Sequence, residues 1–140
     1  KKLPFLSDPS YLKHKGFTPA DEAGVFTLMQ LPFHKDVKAP CFAKTVFQPK
    51  HPEHTFVLYY TDQCPFAIQY ATRFAQWMNN WGQPCIVHHI TTREAAQKCP
   101  APVTSYALFY DNTYLTNEIM SEKKAEKLWR TYGSQTVQAG

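Results

Sequence analysis

At 140 residues, with 44% apolar and 15% aromatic content, the chain can bury one good core or a small domain joined to a piece of another, and it is no disordered polymer. Its formal charge of +4 comes from scattered basic residues, and the tight knot Glu122-Lys123-Lys124 carries its own acid, so a solvated helix face is expected there and no nucleic-acid surface. No apolar run approaches the roughly 20 residues that a membrane helix needs, and no membrane association is expected.

The sequence opens on Lys1-Lys2-Leu3-Pro4, with neither Met nor a signal-peptide pattern, which reads as a fragment or a processed chain. Ser7-Asp8-Pro9-Ser10 offers a helix start, with Ser7 or Asp8 as cap and Pro9 in the first turn, and Gly16 is suited to the stop. An extended stretch at Phe17–Pro19 and a strand signal at Val25–Leu31 follow. One short helix and two strands bury no core alone, so residues 1–33 need something to lie against. Residues 34–54 carry Pro40, Pro49 and Pro52 and read as a proline-rich linker, with Phe42, Val46 and Phe47 packing part of it down.

From Thr55 onward the elements make a complete small domain, 55–132. A strand is expected over Thr55–Tyr60. The three- and four-residue recurrence of Tyr70, Ala71, Phe74, Trp77, Met78 and Trp81 predicts a helix from Pro65 to Gly82, with the tryptophans in core packing. Cys85–Ile90 reads as a second strand, and Thr91 with Glu94 as a capping box for a short helix that Pro100 and Pro102 stop. Ser105–Tyr110, a turn at Asp111-Asn112, and Tyr114–Thr116 predict a hairpin; Ser121 caps a last helix, and residues 133–140 are a flexible tail. The order β-α-β-α-β-β-α, with a right-handed parallel βαβ unit and an antiparallel edge hairpin, is that of a thioredoxin-like α/β fold.

Cys64 is the sharpest candidate for chemistry. Thr55–Cys64 runs a buried strand into a polar turn, and Cys64-Pro65 places a thiol at the positive end of the helix, where the dipole favours thiolate. Ala67 stands where a second cysteine would, which excludes internal Cys-x-x-Cys cycling and leaves either monothiol chemistry or a packing relic in a binding module. Tyr60, Gln63, Phe66, Pro102 and Thr104 are the candidate substrate-binding cleft around Cys64, and Tyr59 and Tyr106 are further aromatic candidates. A thioredoxin-like fold carries a cis-proline before its third strand, here Pro100 or Pro102. If it were Pro100, Cys99 would approach Cys64 as a resolving thiol; the alternative is an ordinary helix-end cysteine. His88 and His89 alternate across a strand, one on the surface and one half-buried, and no metal site is expected. The spacing of Cys41, Cys64, Cys85 and Cys99 fits neither a zinc ribbon nor a disulfide scaffold, so a cytoplasmic protein with reduced thiols is expected.

Tyr59-Tyr60-Thr61-Asp62-Gln63-Cys64-Pro65-Phe66, with Glu94-Ala95-Ala96-Gln97, Pro102-Val103-Thr104, Leu108-Phe109-Tyr110 and Leu115-Thr116-Asn117-Glu118-Ile119, resembles the YoaP-like domain. That is a thioredoxin-fold module that follows the catalytic domain in certain bacterial N-acetyltransferases of the GNAT family. The resemblance spans Thr55 to Arg130. Upstream, Tyr11–Phe17 and Val25–Leu31 are similar to the last portion of a GNAT domain. The resemblance implies an acetyltransferase using acetyl-CoA and an amine substrate, small molecule or protein, with the thioredoxin-like part as accessory to the rest of the GNAT domain. The glycine-rich loop that cradles acetyl-CoA phosphates is absent and would lie upstream of Lys1. Leu12 stands where such enzymes often carry a tyrosine acid, and Tyr11 is one residue off, so no acetyl-transfer residue and no cofactor are assigned to this chain. A monothiol thioredoxin- or glutaredoxin-like oxidoreductase acting through Cys64 and a non-catalytic interaction module are the alternatives.

Overall fold

A computed structural model describes residues 6–133. The tail expected to be flexible lies outside the described residues, apart from Gly133. The chain begins with helix α1 (Pro9–His14), capped by Asp8, whose carboxylate accepts from the Ser10 amide at 2.8 Å. A two-stranded antiparallel hairpin, β1 (Thr18–Ala23) and β2 (Phe26–Gln30), follows. Gly24 turns it with φ +57°, and a side chain there would meet the Phe47 ring at 2.9 Å. The hairpin is therefore tied to the segment that comes after it.

Residues 31–55 contain no helix or strand, and they lie docked rather than free. The Phe42 amide donates to Asp21 at 2.8 Å, and the Phe47 amide donates to the Pro100 carbonyl at 2.9 Å. Phe47 holds φ 57°, a region that costs a bulky residue free energy. Its ring, 6.2 Å from Phe26 and 5.7 Å from Tyr114, completes an aromatic cluster that holds it there.

The main body is β3 (Phe56–Tyr60), α2 (Pro65–Asn80), β4 (Cys85–His89), α3 (Arg93–Lys98), β5 (Tyr106–Tyr110), β6 (Thr113–Thr116) and α4 (Glu122–Tyr132). The fold is mixed α/β. Its four-stranded sheet has the order β4-β3-β5-β6, with β3 and β4 parallel and the other pairs antiparallel. On one face Phe56, Leu58, Tyr60, Tyr106, Leu108 and Tyr110 pack against Ala67, Ala71, Phe74 and Met78 of α2 and Ala125 of α4. Trp81 and Trp129 stack across those two helices at 5.4 Å. On the other face Val57, Ala107 and Phe109 pack with Ile90, Cys99 and Ala101.

Three sequence expectations change. The capping box shifts by one residue: Thr92 caps α3, accepting from the Ala95 amide at 3.1 Å. Strand-like pairing runs on through Ile90, whose amide donates to the Tyr60 carbonyl, so the helix starts later and Glu94 falls one place short of a reciprocal partner. None of the described peptide bonds is cis, so neither Pro100 nor Pro102 is; the Pro100 carbonyl is held by Phe47 in the ordinary trans arrangement. His88 and His89 do face opposite sides, yet both stay exposed because β4 is an edge strand.

The cap gives a direct check. Thr92→Ala is expected to lower the unfolding free energy by about 1 kcal/mol in urea titrations, while Thr91→Ala leaves it unchanged.

Candidate functional site

The polar turn after β3 ends at Cys64, the N-cap residue of α2, and Pro65 starts the helix without needing an N–H partner. The thiol makes no capping hydrogen bond and is half-buried beside the core. A groove of about 710 Å³ opens there. Cys64, Phe66 and Tyr70 form its helix wall, Ser105 and Tyr106 its floor, and Asn117, Glu118, Ile119, Ser121 and Lys124 the opposite wall. That second wall is the connection from β6 to α4. Met120 anchors it in the core, Asn117 is buried and takes a hydrogen bond from the Tyr114 hydroxyl at 3.3 Å, and Lys124 pairs with Glu118 at the rim.

The sequence candidates divide. Cys64 and Phe66 line the groove, Phe66 with 61% of its surface exposed. Tyr60 is buried, its ring stacked 4.5 Å from His89, and it does not line the groove. Gln63 is exposed, and Pro102 and Thr104 are half-buried outside the lining; Ser105 is the residue of that segment that reaches it. Tyr59 lies on the opposite face, hydrogen-bonded through its hydroxyl to His51 at 2.9 Å. His51 reaches the Asp111 carbonyl through Nδ1 at 2.6 Å; that carbonyl can only accept, so Nδ1 carries the proton and Nε2 accepts from Tyr59. Nothing local in the sequence pointed to the 117–121 wall or to His51, because both act through distant partners.

Tyr106 is the unusual member. It is 2% exposed, and its hydroxyl has no hydrogen-bond partner among the described residues. Burial pushes its titration far up, the Met120 backbone acts the other way, and Cys85 adds to the rise. The phenol is a neutral donor.

The four thiols are free. Cys99 is buried on the face of the sheet opposite the Cys64 side, so the two do not form a nucleophile and resolving pair. Burial raises the Cys99 thiol, and the Ala101 backbone partly offsets it. Burial moves Cys85 from an ordinary 9.0 to about 12. Among the described residues no three His, Cys, Asp or Glu gather to hold a metal ion, and no helix is long and apolar enough to cross a membrane.

Fold and groove together define a small α/β module with a half-buried thiol at a helix start. Residues 84–127 match the family model described as YoaP-like. Over 132 residues the chain is 38% identical to a protein of Bacillus subtilis (strain 168) named as the uncharacterized N-acetyltransferase YoaP. That alignment takes in 94% of this chain and 53% of the relative, so the chain spans about half the length of the curated relative it matches. The chain is thus similar to the YoaP-like family over residues 84–127, and to a protein that bears an N-acetyltransferase name over most of its own length. No solved structure matches it.

Alkylation separates the thiols. In the native state Cys41 and Cys64 are expected to react with iodoacetamide at pH 8, read by mass spectrometry, while Cys85 and Cys99 stay protected. Folded Cys85 keeps its proton until about pH 12, whereas an unfolded thiol loses it near 9.0, so its contribution to stability is intact below pH 9 and is lost as pH rises toward 12. Cys85→Ala should make the fall in urea midpoint over that window shallower.

Proposed function

We propose that this chain is the thioredoxin-like accessory part of a longer bacterial, cytoplasmic N-acetyltransferase of the GNAT family, and that it binds substrate or partner in the groove beside Cys64. The observation that carries the reading is the groove itself. It sits at the carboxyl end of β3, where open α/β sheets generally bind ligands, and it exposes an aromatic ring next to a half-buried thiol. The thioredoxin-like assignment is supported by the element order after residue 55 and by the strand order β4-β3-β5-β6. The acetyltransferase relation rests on the similarity to the Bacillus subtilis protein. Residues 1–33, which include α1 and the β1–β2 hairpin, supply the end of the GNAT-like part, 34–54 connect, and 55–132 form the accessory domain. Acetyl-CoA binds to the remainder of the longer protein, where the acetyl group passes to the amine.

A second reading, a monothiol oxidoreductase, is favoured by one observation: Cys64 stands at the N-cap of a 16-residue helix with Pro65 behind it and lines the groove.

Titration calorimetry with acetyl-CoA tests the first reading. Binding to the longer protein and none to residues 1–140 is expected; micromolar binding to residues 1–140 overturns the division of roles. In the longer protein, Phe66→Asp should lower acetyl transfer and Cys64→Ser should leave it intact. Full activity in both variants sinks the substrate-binding role and leaves a partner-docking module. Turnover of a glutathione mixed disulfide by residues 1–140, lost in Cys64→Ser, would establish the second reading instead.

A further inference from the structure

Tyr114 belongs to two neighbourhoods at once. Its ring makes edge-to-face contact with three others, at centroid distances of 5.4 Å from Phe109, 5.6 Å from Phe26 and 5.7 Å from Phe47. Phe26 lies in the β1–β2 hairpin, Phe47 in the docked segment after it, and Phe109 in the central strand β5. At the far end of the ring the hydroxyl donates to Asn117 Oδ1 at 3.3 Å. Asn117 is 4% exposed and begins the 117–121 wall of the groove.

That hydrogen bond joins the two faces of the sheet. β6 is an edge strand, and Tyr114 packs with Val57 and Phe109 on the face opposite α2. Ile119 and Met120, a few residues on, pack on the face that α2 covers. The bond therefore reaches round the sheet edge to hold the start of the wall. A buried amide that loses a hydrogen bond still bears the cost of leaving water, so Asn117 follows the hydroxyl. The hydroxyl follows the ring, because a ring wedged among three others leaves its para substituent little freedom. The rest of the wall is anchored nearby, the Glu118 amide on Thr116 Oγ1 at 3.0 Å and Met120 in the core. Of these anchors it is Tyr114 that touches the hairpin.

We infer that Tyr114 is a positioning residue for the groove, setting the 117–121 wall according to how the β1–β2 hairpin is seated. Gly24 and Phe26 of the hairpin both bear on Phe47, so a shift of the hairpin moves the ring cluster that holds Tyr114. This rests on the groove being the binding site proposed above, and it makes that site responsive to the part of the chain assigned to the acetyltransferase.

Backbone NMR relaxation on the free 140-residue chain tests it and needs no ligand. Tyr114→Phe keeps the ring and removes the bond. The Asn117 and Ile119 amides are expected to fall from a rigid order parameter of about 0.85 toward about 0.6, with α2 unchanged. Phe26→Leu keeps apolar bulk, removes the aromatic edge, and should loosen the same amides from the other face of the sheet. Combined with Tyr114→Phe it should loosen them no further. Wall amides that stay rigid in Tyr114→Phe overturn the positioning role. A Phe26→Leu effect confined to the hairpin, or undiminished in the combined variant, overturns the link to the hairpin. Equal loosening of α2 and the wall means that the whole fold has slackened, and the inference falls. If Phe26→Leu does not fold, Phe47→Leu removes the neighbouring ring and decides in the same way. Any of these failures leaves binding in the groove standing, since that reading is lost only through Phe66→Asp in the acetyl-transfer assay.

Discussion

β3 and β5 lie side by side in the middle of the sheet, and every residue in them except Tyr59 is buried. A strand pair buried on both faces needs cover on both, and the rest of the chain is arranged by that requirement. Each large side chain withdrawn from water there contributes roughly 1.5–3 kcal/mol, so leaving either face open would forfeit much of the stability of a chain this size. α2 and α4 close one face. On the other, α3 has six residues and none of them is buried, too little to close it alone. Cys99 and Ala101, just beyond that helix, fill part of the gap, and His51, Phe47 and Phe26 seal the rest.

The same requirement places the groove. Core layers on the helix-covered face end at Tyr60 and Tyr106, which are paired across β3 and β5. Beyond them the chain leaves β3 through a polar turn and returns at the start of α2. His89 stacks on Tyr60, and among the described residues none is hydrogen-bonded to the Tyr106 hydroxyl. Both tyrosines of that last layer are buried, 8% and 2% exposed, and Cys64 lines the groove at this end of the sheet. The sheet also separates the thiols: Cys64 belongs to the helix-covered side and Cys99 to the other, so a change at one does not reach the other by direct contact.

Much of this was legible in the sequence where the signal is local. The apolar run before Cys64, the three- and four-residue recurrence from Tyr70 to Trp81, Gly16 with φ +88° after α1, and the two-residue turn at Asp111-Asn112 all follow from side-chain period or turn chemistry. The docking of residues 31–55 was legible only in part, from three apolar side chains, since the hydrogen bonds that hold His51 reach about sixty residues along the chain to Asp111 and Asn112. The cleft was legible on one wall. Strand alternation puts Tyr60 and Tyr106 on the same face, but it cannot say that His89 stacks on the first. Nor does it say that residues 117–121, whose local pattern is only a connection, form the facing wall. The α3 cap missed by one residue for a related reason: the parallel pairing of β4 with β3 extends the strand, and that long-range bond outweighs a favourable local box.

Cys64 itself follows from the same balance of local and long-range effects. Ser, Thr, Asp or Asn at a helix N-cap is worth about 1 kcal/mol over a residue that cannot accept from the first-turn amides. A thiol is a weak acceptor, and Cys64 makes no such bond. Pro65 takes over the work of starting the helix through its fixed φ, which frees the preceding side chain from capping. The freed side chain lies half-buried against the core and lines the groove. Helix stability alone would therefore favour a different residue at position 64, and the thiol that stands there instead forms part of the groove wall.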